Sequence, residues 1–464
     1  MAGTFASLNT ALSALRYNRV AMDVASGNIA NVGTEGYARR RVNGETVGAP
    51  VQTAMWSRYD GAGDGVAVAG VDRMVDALLD VRARREHGNQ SYLDIRQKVL
   101  ERVESGIGEP GDNGVAAAIA DFRSAWHDLA NNPGNDATRA QVLGRAATLA
   151  DAIRIQSRNI DAESGDLRVR AIADVAEVNT VASDLAATNR SIAIASLDGG
   201  DAGVLLDKRD QLAMRLSELT GAKTTQRPDG GFDVTVNGIA LVTGQNAGSL
   251  QIATGITPAG ASDGNPITYA IIDSSGTTTV PAGMTGELGG VTDLLTTTLP
   301  AYSAGLGAVA KQLADEINTQ HQAGYDAAGN PGQPFFSYNP ADPAGTLAVA
   351  LTTPSQVAAS SLPGGVLDAG NADALATATG VEDSYQRLIN GFGTEVASVR
   401  RLAANQQVLT GQVDGSREQL SGVNLDEEMV SMMSAQRAYE AASRVMTTVD
   451  SVLDTLINRT GLVR

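Results

Sequence analysis

Eleven of the fourteen prolines in this 464-residue chain lie between positions 228 and 363, and none lies in 1–49, 134–227 or 364–464. Proline in a helix interior removes a backbone donor and collides with the preceding turn, at a cost of about 3 kcal/mol. Long helices are therefore confined to the proline-free tracts. Charge divides the chain in the same way. Residues 221–380 carry only 12 acids and three bases and are rich in Thr, Gly, Ser and Ala. The expected fold is mainly α, with long helices, coiled-coil segments at paired termini and an inserted β-rich outer domain.

The middle carries one sharp strand signal. Phe232 to Val236 alternates, Asn237-Gly238 follows, and Ile239 to Val242 returns. Asn-Gly supplies the two positive φ angles of a type I′ turn, so a hairpin is expected here. Ile267–Ile272 and Thr277–Val280 read as weaker strands around it.

Between Asp136 and Ser196 the apolar residues keep a seven-residue beat: Val142 and Leu149; Ile153, Ile160 and Leu167; Val178, Leu185 and Ile192. Steps of four (Leu149 to Ile153) and eleven (Leu167 to Val178) are stutters in that repeat. One continuous helix of roughly 90 Å is predicted at 1.5 Å per residue, packed in an all-α bundle.

The two ends carry matching stripes. Leu8, Leu15, Met22 and Ile29 recur every seven residues with Leu12 beside them. Leu425, Met432, Tyr439, Met446 and Leu453 do the same, next to a second seam of Ala435, Ala442, Val449 and Leu456. Such spacing over several heptads is a coiled-coil pattern. Asn31 and Gly33 are expected to stop the first helix. These few side chains, paired only with each other, do not repay the entropy of ordering both ends, so a lone copy should have frayed termini. The pattern points to self-assembly, with Leu8, Leu12, Leu15, Met22, Ile29, Leu425, Met432, Tyr439, Met446, Val449, Leu453 and Leu456 as the interface. The chain divides into a terminal assembly unit (1–45 with 415–464), a long-helix rod (46–220 with 301–414) and a β-rich unit (221–300).

Catalysis finds no support. The chain has no cysteine, which excludes disulfides and thiolate metal sites. His87, His127 and His321 show neither ligand spacing nor a neighbouring nucleophile elbow, and His127 reads as a core-edge residue near Phe122, Trp126 and Leu129. No cofactor, metal or catalytic residue is expected. A formal charge of −17 argues against nucleic acid as a partner. No apolar run is long enough to span a bilayer. Gly61-Ala62-Gly63-Asp64-Gly65-Val66 lacks the third glycine of a dinucleotide loop and leads into the alternating Val66, Val68 and Val71, so a β-hairpin is expected instead. Arg39-Arg40-Arg41 could pair with Asp426, Glu427 and Glu428 across subunits. The first residues lack a basic, then apolar, secretory leader, which taken alone predicts a cytoplasmic protein.

Longer motifs carry a resemblance. Asn28-Ile29-Ala30-Asn31-Val32-Gly33-Thr34-Glu35-Gly36-Tyr37 resembles the N-terminal signature of the bacterial flagellar axial proteins (rod, hook and hook-associated). Ser421-Gly422-Val423-Asn424-Leu425-Asp426-Glu427-Glu428-Met429, then Ala435-Gln436-Arg437-Ala438-Tyr439 and Asp454-Thr455-Leu456-Ile457-Asn458, resembles the matching C-terminal signature. Gly286-Glu287-Leu288-Gly289-Gly290, Ile317 to Asp326, Gly329 to Gly332 and Phe335-Phe336 are similar to hook–filament junction members more than to hook or distal rod proteins. The resemblance implies a structural, non-enzymatic protein, exported unfolded through the flagellar secretion channel and therefore extracellular. The implied partners are further copies in an axial ring, the hook protein, a second junction protein and a cytoplasmic export chaperone. Longer members insert an outer domain after the Phe-Phe pair; Ser337–Ser361 offers at most a vestige. A soluble secreted helical binding protein is the reading from another class, and it would have ordered termini and a defined pocket.

Overall fold

The computed structural model describes residues 2–47, 65–112, 114–198, 200–365 and 367–459. In chain order these form α1 (Ala2–Ala30), a ribbon of β1 (Arg40–Thr46) and β2 (Val66–Arg73), then α2 (Ala77–Ile107), α3 (Val115–Asn131), α4 (Asp136–Asp198) and α5 (Gly203–Thr220). The strands β3 (Lys223–Gln226), β4 (Phe232–Val236), β5 (Ile239–Thr243), β6 (Asn246–Ala247), β7 (Ser249–Thr254), β8 (Thr268–Ile272) and β9 (Thr278–Thr279) follow. The chain closes with α6 (Gly286–Asp293), α7 (Leu299–Gln322), β10 (Phe336–Ser337), α8 (Pro343–Thr346), β11 (Ala348–Val349), α9 (Gly370–Ala376), α10 (Gly380–Ser421) and α11 (Leu425–Asp454). Of the Gly61–Val66 stretch, Gly61–Asp64 lies outside the described residues; Val66 does open a strand, and the next helix begins at Ala77, capped by Asp76. No described helix is long and apolar enough to cross a membrane.

The 63 residues of α4 are one unbroken helix, about 95 Å long. Val142, Leu149, Ile153, Ile160, Leu167, Val178, Leu185 and Ile192 are all buried along it, so the stuttered beat maps a continuous covered stripe. Its first half packs on α3, α7 and α8, and its second half on α5 and the β region. The helices α2, α3, α7 and α10 complete the bundle around Leu100, Leu129, Leu306 and Val396. Trp126, Phe122, Phe335 and Phe336 form an aromatic cluster with centroids 4.9–6.0 Å apart.

Two antiparallel sheets, β3-β4-β5-β6 and β7-β8-β9, make up the β region. Asn237 (φ 47°) and Gly238 (φ 85°) close the β4–β5 hairpin as expected. Two asparagines of α4 clamp these sheets. Asn189 donates to the Phe232 and Gly244 carbonyls at 2.8 and 2.7 Å and accepts from the Phe232 N–H at 3.0 Å. Asn179 does the same for both backbone groups of Leu250. A buried strand edge needs such partners.

The interior motifs have structural roles. Asn318 Oδ1 accepts from the N–H groups of Phe335 and Phe336 at 2.6 and 2.7 Å, holding both rings in the aromatic cluster. His321 is fully buried; its Nδ1 lies 2.6 Å from the Gln333 carbonyl and its Nε2 accepts from the Ala358 N–H at 2.8 Å. Burial pushes its pKa down to about 4, so it is neutral at physiological pH. A Cβ at Gly290 would stand 2.8 Å from the Tyr92 carbonyl oxygen, so this glycine lets α6 close onto α2. Residues 337–361 form no separate unit, since Leu347, Val357, Ala358 and Ala359 are buried in the same core. His127, expected at the core edge, is exposed on α3.

Candidate assembly interface

The two ends of the chain meet. Helix α1 packs along α11, and the ribbon β1–β2 lies beside α1, with Ser13 Oγ accepting from the Val66 N–H at 3.2 Å. The frayed termini expected from the sequence are not what the structure contains: both ends are continuous helices.

What holds them is a seam of small side chains and a polar node. Ala11 and Ala25 on α1, and Ala435 and Ala442 on α11, are buried. Small residues let two helix backbones approach closely, which leaves the larger side chains on the flanks. Accordingly Leu8, Leu12, Leu15, Met22 and Ile29 are half-buried, as are Met432, Met446, Val449 and Leu453; Leu425, Tyr439 and Leu456 are exposed. All twelve residues of the expected interface lie on or directly beyond this helix pair, and none is fully covered by it. Met429, Val430, Met433, Val445 and Val452 on α11 are exposed as well, so apolar groups occupy several faces of that helix.

The node is built from the two terminal signatures. Asn28 is 0% and Glu428 3% exposed. Asn28 Nδ2 donates to Glu428 Oε2 at 2.9 Å and to the Arg40 carbonyl at 2.8 Å, while its Oδ1 accepts from Tyr37 Oη at 2.9 Å and from the Arg40 N–H at 3.0 Å. Arg39 Nε meets the other Glu428 oxygen at 2.7 Å, and its Nη1 reaches Glu427 at 3.0 Å. Every polar atom of the Asn28 amide is thus used, and the buried carboxylate has a cation. A buried polar group in this state fixes register, because sliding either helix would strand it. Burial raises the Tyr37 pKa above its ordinary value, so its hydroxyl keeps the proton it donates. Asn424 caps α11, accepting from the Asp426 and Glu427 N–H groups, and the acids of that first turn suit the helix dipole.

Helix α1 ends at Ala30, directly before Asn31 and Gly33 as expected; the left-handed residue after it is Gly36 (φ 74°), and Asn31 donates from its side chain to the Gly27 carbonyl. One expectation is corrected. The basic run pairs within the chain: Arg39 takes Glu427 and Glu428, whereas Arg40 turns to Asp207 and Asp201. Together with Arg73, which binds Asp207 and Asp210 at 2.7 and 2.8 Å, Arg40 ties the ribbon to α5. Arg417 to Asp80 (2.8 Å) and His87 to Asp414 (3.0 Å) join α2 to α10 at the same joint. The α11 half of the seam, Ala435 and Ala442, was read from the sequence; the α1 half, Ala11, Asn18 and Ala25 at seven-residue steps, was missed because alanine attracts no attention in a search for large apolar residues.

Chemically this arrangement can pair and register helices; among the described residues no group of His, Asp or Glu is placed to hold a metal ion. Comparisons with known proteins agree with a structural part. Residues 100–336 match the family described as the flagellar hook-associated protein FlgK helical domain. Residues 8–37 match the flagella basal body rod protein family, and 418–459 the flagellar basal body rod FlgEFG protein C-terminal family. The chain is similar to flagellar hook-associated protein 1 of Bacillus subtilis, 27% identical over 100% of this chain and 99% of the relative. For the Escherichia coli protein of the same name the identity is 24% over 97% and 99%. The fold is also that of the flagellar hook junction protein FlgK from Burkholderia pseudomallei, with a TM-score of 0.64 at 16% identity over 73% of this chain and 100% of that one.

Proposed function

The chain belongs to the flagellar hook-associated FlgK family, and from that premise we propose that it is a structural, non-enzymatic subunit at the junction of hook and filament. In this reading α1 and α11 of successive copies pack into an inner tube, the terminal assembly unit. The α4 bundle and β region form the outer layers. One observation carries the mechanism: of α11 only Glu428, Ala435 and Ala442 are fully buried by the same chain, and Leu425, Met429, Val430, Met433, Tyr439, Val445 and Val452, with Leu456 just beyond the helix, are exposed. A helix apolar on several faces belongs inside something. Further copies, the hook protein below and a second junction protein above supply that cover, and an export chaperone shields α11 before secretion. A chain without cysteine has no disulfide to obstruct passage through a narrow channel.

The test is a deletion strain complemented with the full chain. Loss of the protein is expected to leave hooks without filaments, and the complemented strain to carry the protein at the hook's distal end by immunogold microscopy. Filaments of normal number in the deletion strain would refute the junction role.

A further inference from the structure

A cleft of 600 Å³ opens where β2, the first turns of α2, the start of α5 and β4 come together. Arg84 of α2 lines it and is only 6% exposed. Among the described residues its guanidinium has no hydrogen bond or ion pair, and it lies over the Phe232 ring at 5.2 Å. The acids nearby are engaged elsewhere: Asp210 holds Arg73 and Arg209 at 2.8 and 2.6 Å, and Asp80 holds Arg417. Arg209 occupies the same ring at 3.7 Å; at longer range Asp210 and Asp80 attract Arg84 while Arg209 and Arg417 repel it, and no acid pairs with it directly. Burial lowers the Arg84 pKa from its ordinary value, yet an arginine remains charged at neutral pH. A cation taken out of water without a counter-ion is costly, and breaking the pairs around it to supply one would be costlier.

The surroundings narrow the missing anion. Val75 and Val81 line the cleft at 39% and 52% exposure, and Leu78 and Val204 stand on the adjoining helix turns at 82% and 69%. A bare inorganic ion would leave these side chains wet. Asp72, Asp80, Asp201 and Asp210 also line the cleft, so a polyanion would be repelled while one charge aimed at Arg84 is accepted. We propose that this cleft receives a single carboxylate, an acidic side chain on an apolar segment of a neighbouring copy of the chain, with Arg84 as its anion-binding group. The second copy is the occupant because β2, whose Arg73 lines the cleft, packs on α1 of the terminal helix pair. With 52 acids against 35 bases, each copy also offers many carboxylates. The inference rests on the assembly reading above.

Arg84→Met and Arg84→Lys in the full chain separate binding from folding. Arg84→Met should melt at the same temperature as the unaltered protein or higher, since it removes an unpaired buried cation. In the deletion strain it should cut filament-bearing cells roughly tenfold or more, with Arg84→Lys intermediate. Normal filament numbers with Arg84→Met, or a sharp fall in its melting temperature, would overturn the proposal. A second arm needs no assembly. The arginine Nε–H resonance lost in Arg84→Lys should shift when 4-methylpentanoate is added to the free chain, with a Kd in the millimolar range, and should not shift with its neutral amide or with inorganic phosphate. An absent shift, or equal shifts with all three, would overturn it. If the unaltered chain itself failed to restore filaments, the junction role would fall while this arm still judged the cleft.

Discussion

Helices α4 and α11 carry the same seven-residue beat and end in opposite situations. On α4 the beat is Val, Leu and Ile, and every one is buried by α3, α5, α7 and the sheets. On α11 the residues buried by its own chain are two alanines and a glutamate, and the Leu, Met and Tyr of the beat lie half-covered or exposed. Periodicity therefore reports that a ridge exists. The size of the side chains at its centre reports whether the same chain covers it: a large-residue centre is a finished core, while an alanine centre flanked by large residues is a contact that needs more neighbours.

Deleting buried volume probes this contrast most strongly. Leu149→Ala, in the finished core, should destabilise the free chain by about 3–5 kcal/mol, whereas Met432→Ala on α11 should change it by less than about 1 kcal/mol. Paired urea titrations measure both, and equal losses would erase the distinction. Acid provides the next test. His321 folds as a neutral group with its pKa near 4, so the unfolded chain binds the extra proton. Its contribution is intact above about pH 6.5 and is lost as pH falls towards 4, amounting to about 3 kcal/mol. Asp174, raised to about 7 by burial and by Glu287, works oppositely: its contribution is present below about pH 4 and lost as pH rises through 7. The stability of His321→Gln relative to the unaltered chain should thus improve between pH 6.5 and 4, while that of Asp174→Asn should worsen over pH 7 to 4. Both belong to the bundle, so exchange in α1 and α11 should follow neither.

Within the terminal helix pair, Glu428→Gln takes the charge from the node. It should lower the local opening free energy of α1 and α11 by about 1.5–3 kcal/mol, seen by hydrogen exchange, with the urea midpoint of the bundle unmoved. Loss of bundle stability to the same extent would mean that helix pair and bundle unfold together. A more local effect is expected from Ala442→Leu, which overfills the seam by about 1–3 kcal/mol of strain and should loosen α11 alone in the same experiment.

How legible was this in the amino-acid sequence? The α4 stutters and the Asn237-Gly238 turn were, because both are local: one is a surface pattern of a single helix, the other two backbone angles. The positions of Leu8 to Ile29 and Leu425 to Leu456 on paired helices were readable for the same reason. The polar node was not. Asn28 and Glu428 are 400 residues apart, and charge complementarity between two ends of a chain is the same whether they meet within one molecule or between two. Arg39 thus pairs within the chain, where the sequence allows a contact across subunits equally well. Arg84 gave no local signal at all, since its isolation depends on which partners Asp80 and Asp210 had already taken.

The central claim is that the terminal helix pair is held but incompletely covered until neighbours close over it. Hydrogen exchange resolved along residues 2–30 and 425–454, on the free chain and on the same protein in purified hook–filament structures, tests it directly. Exchange in the free chain should be far faster there than in α4 and should slow to the level of α4 once assembled. Protection in the free chain already equal to that of α4 would contradict it.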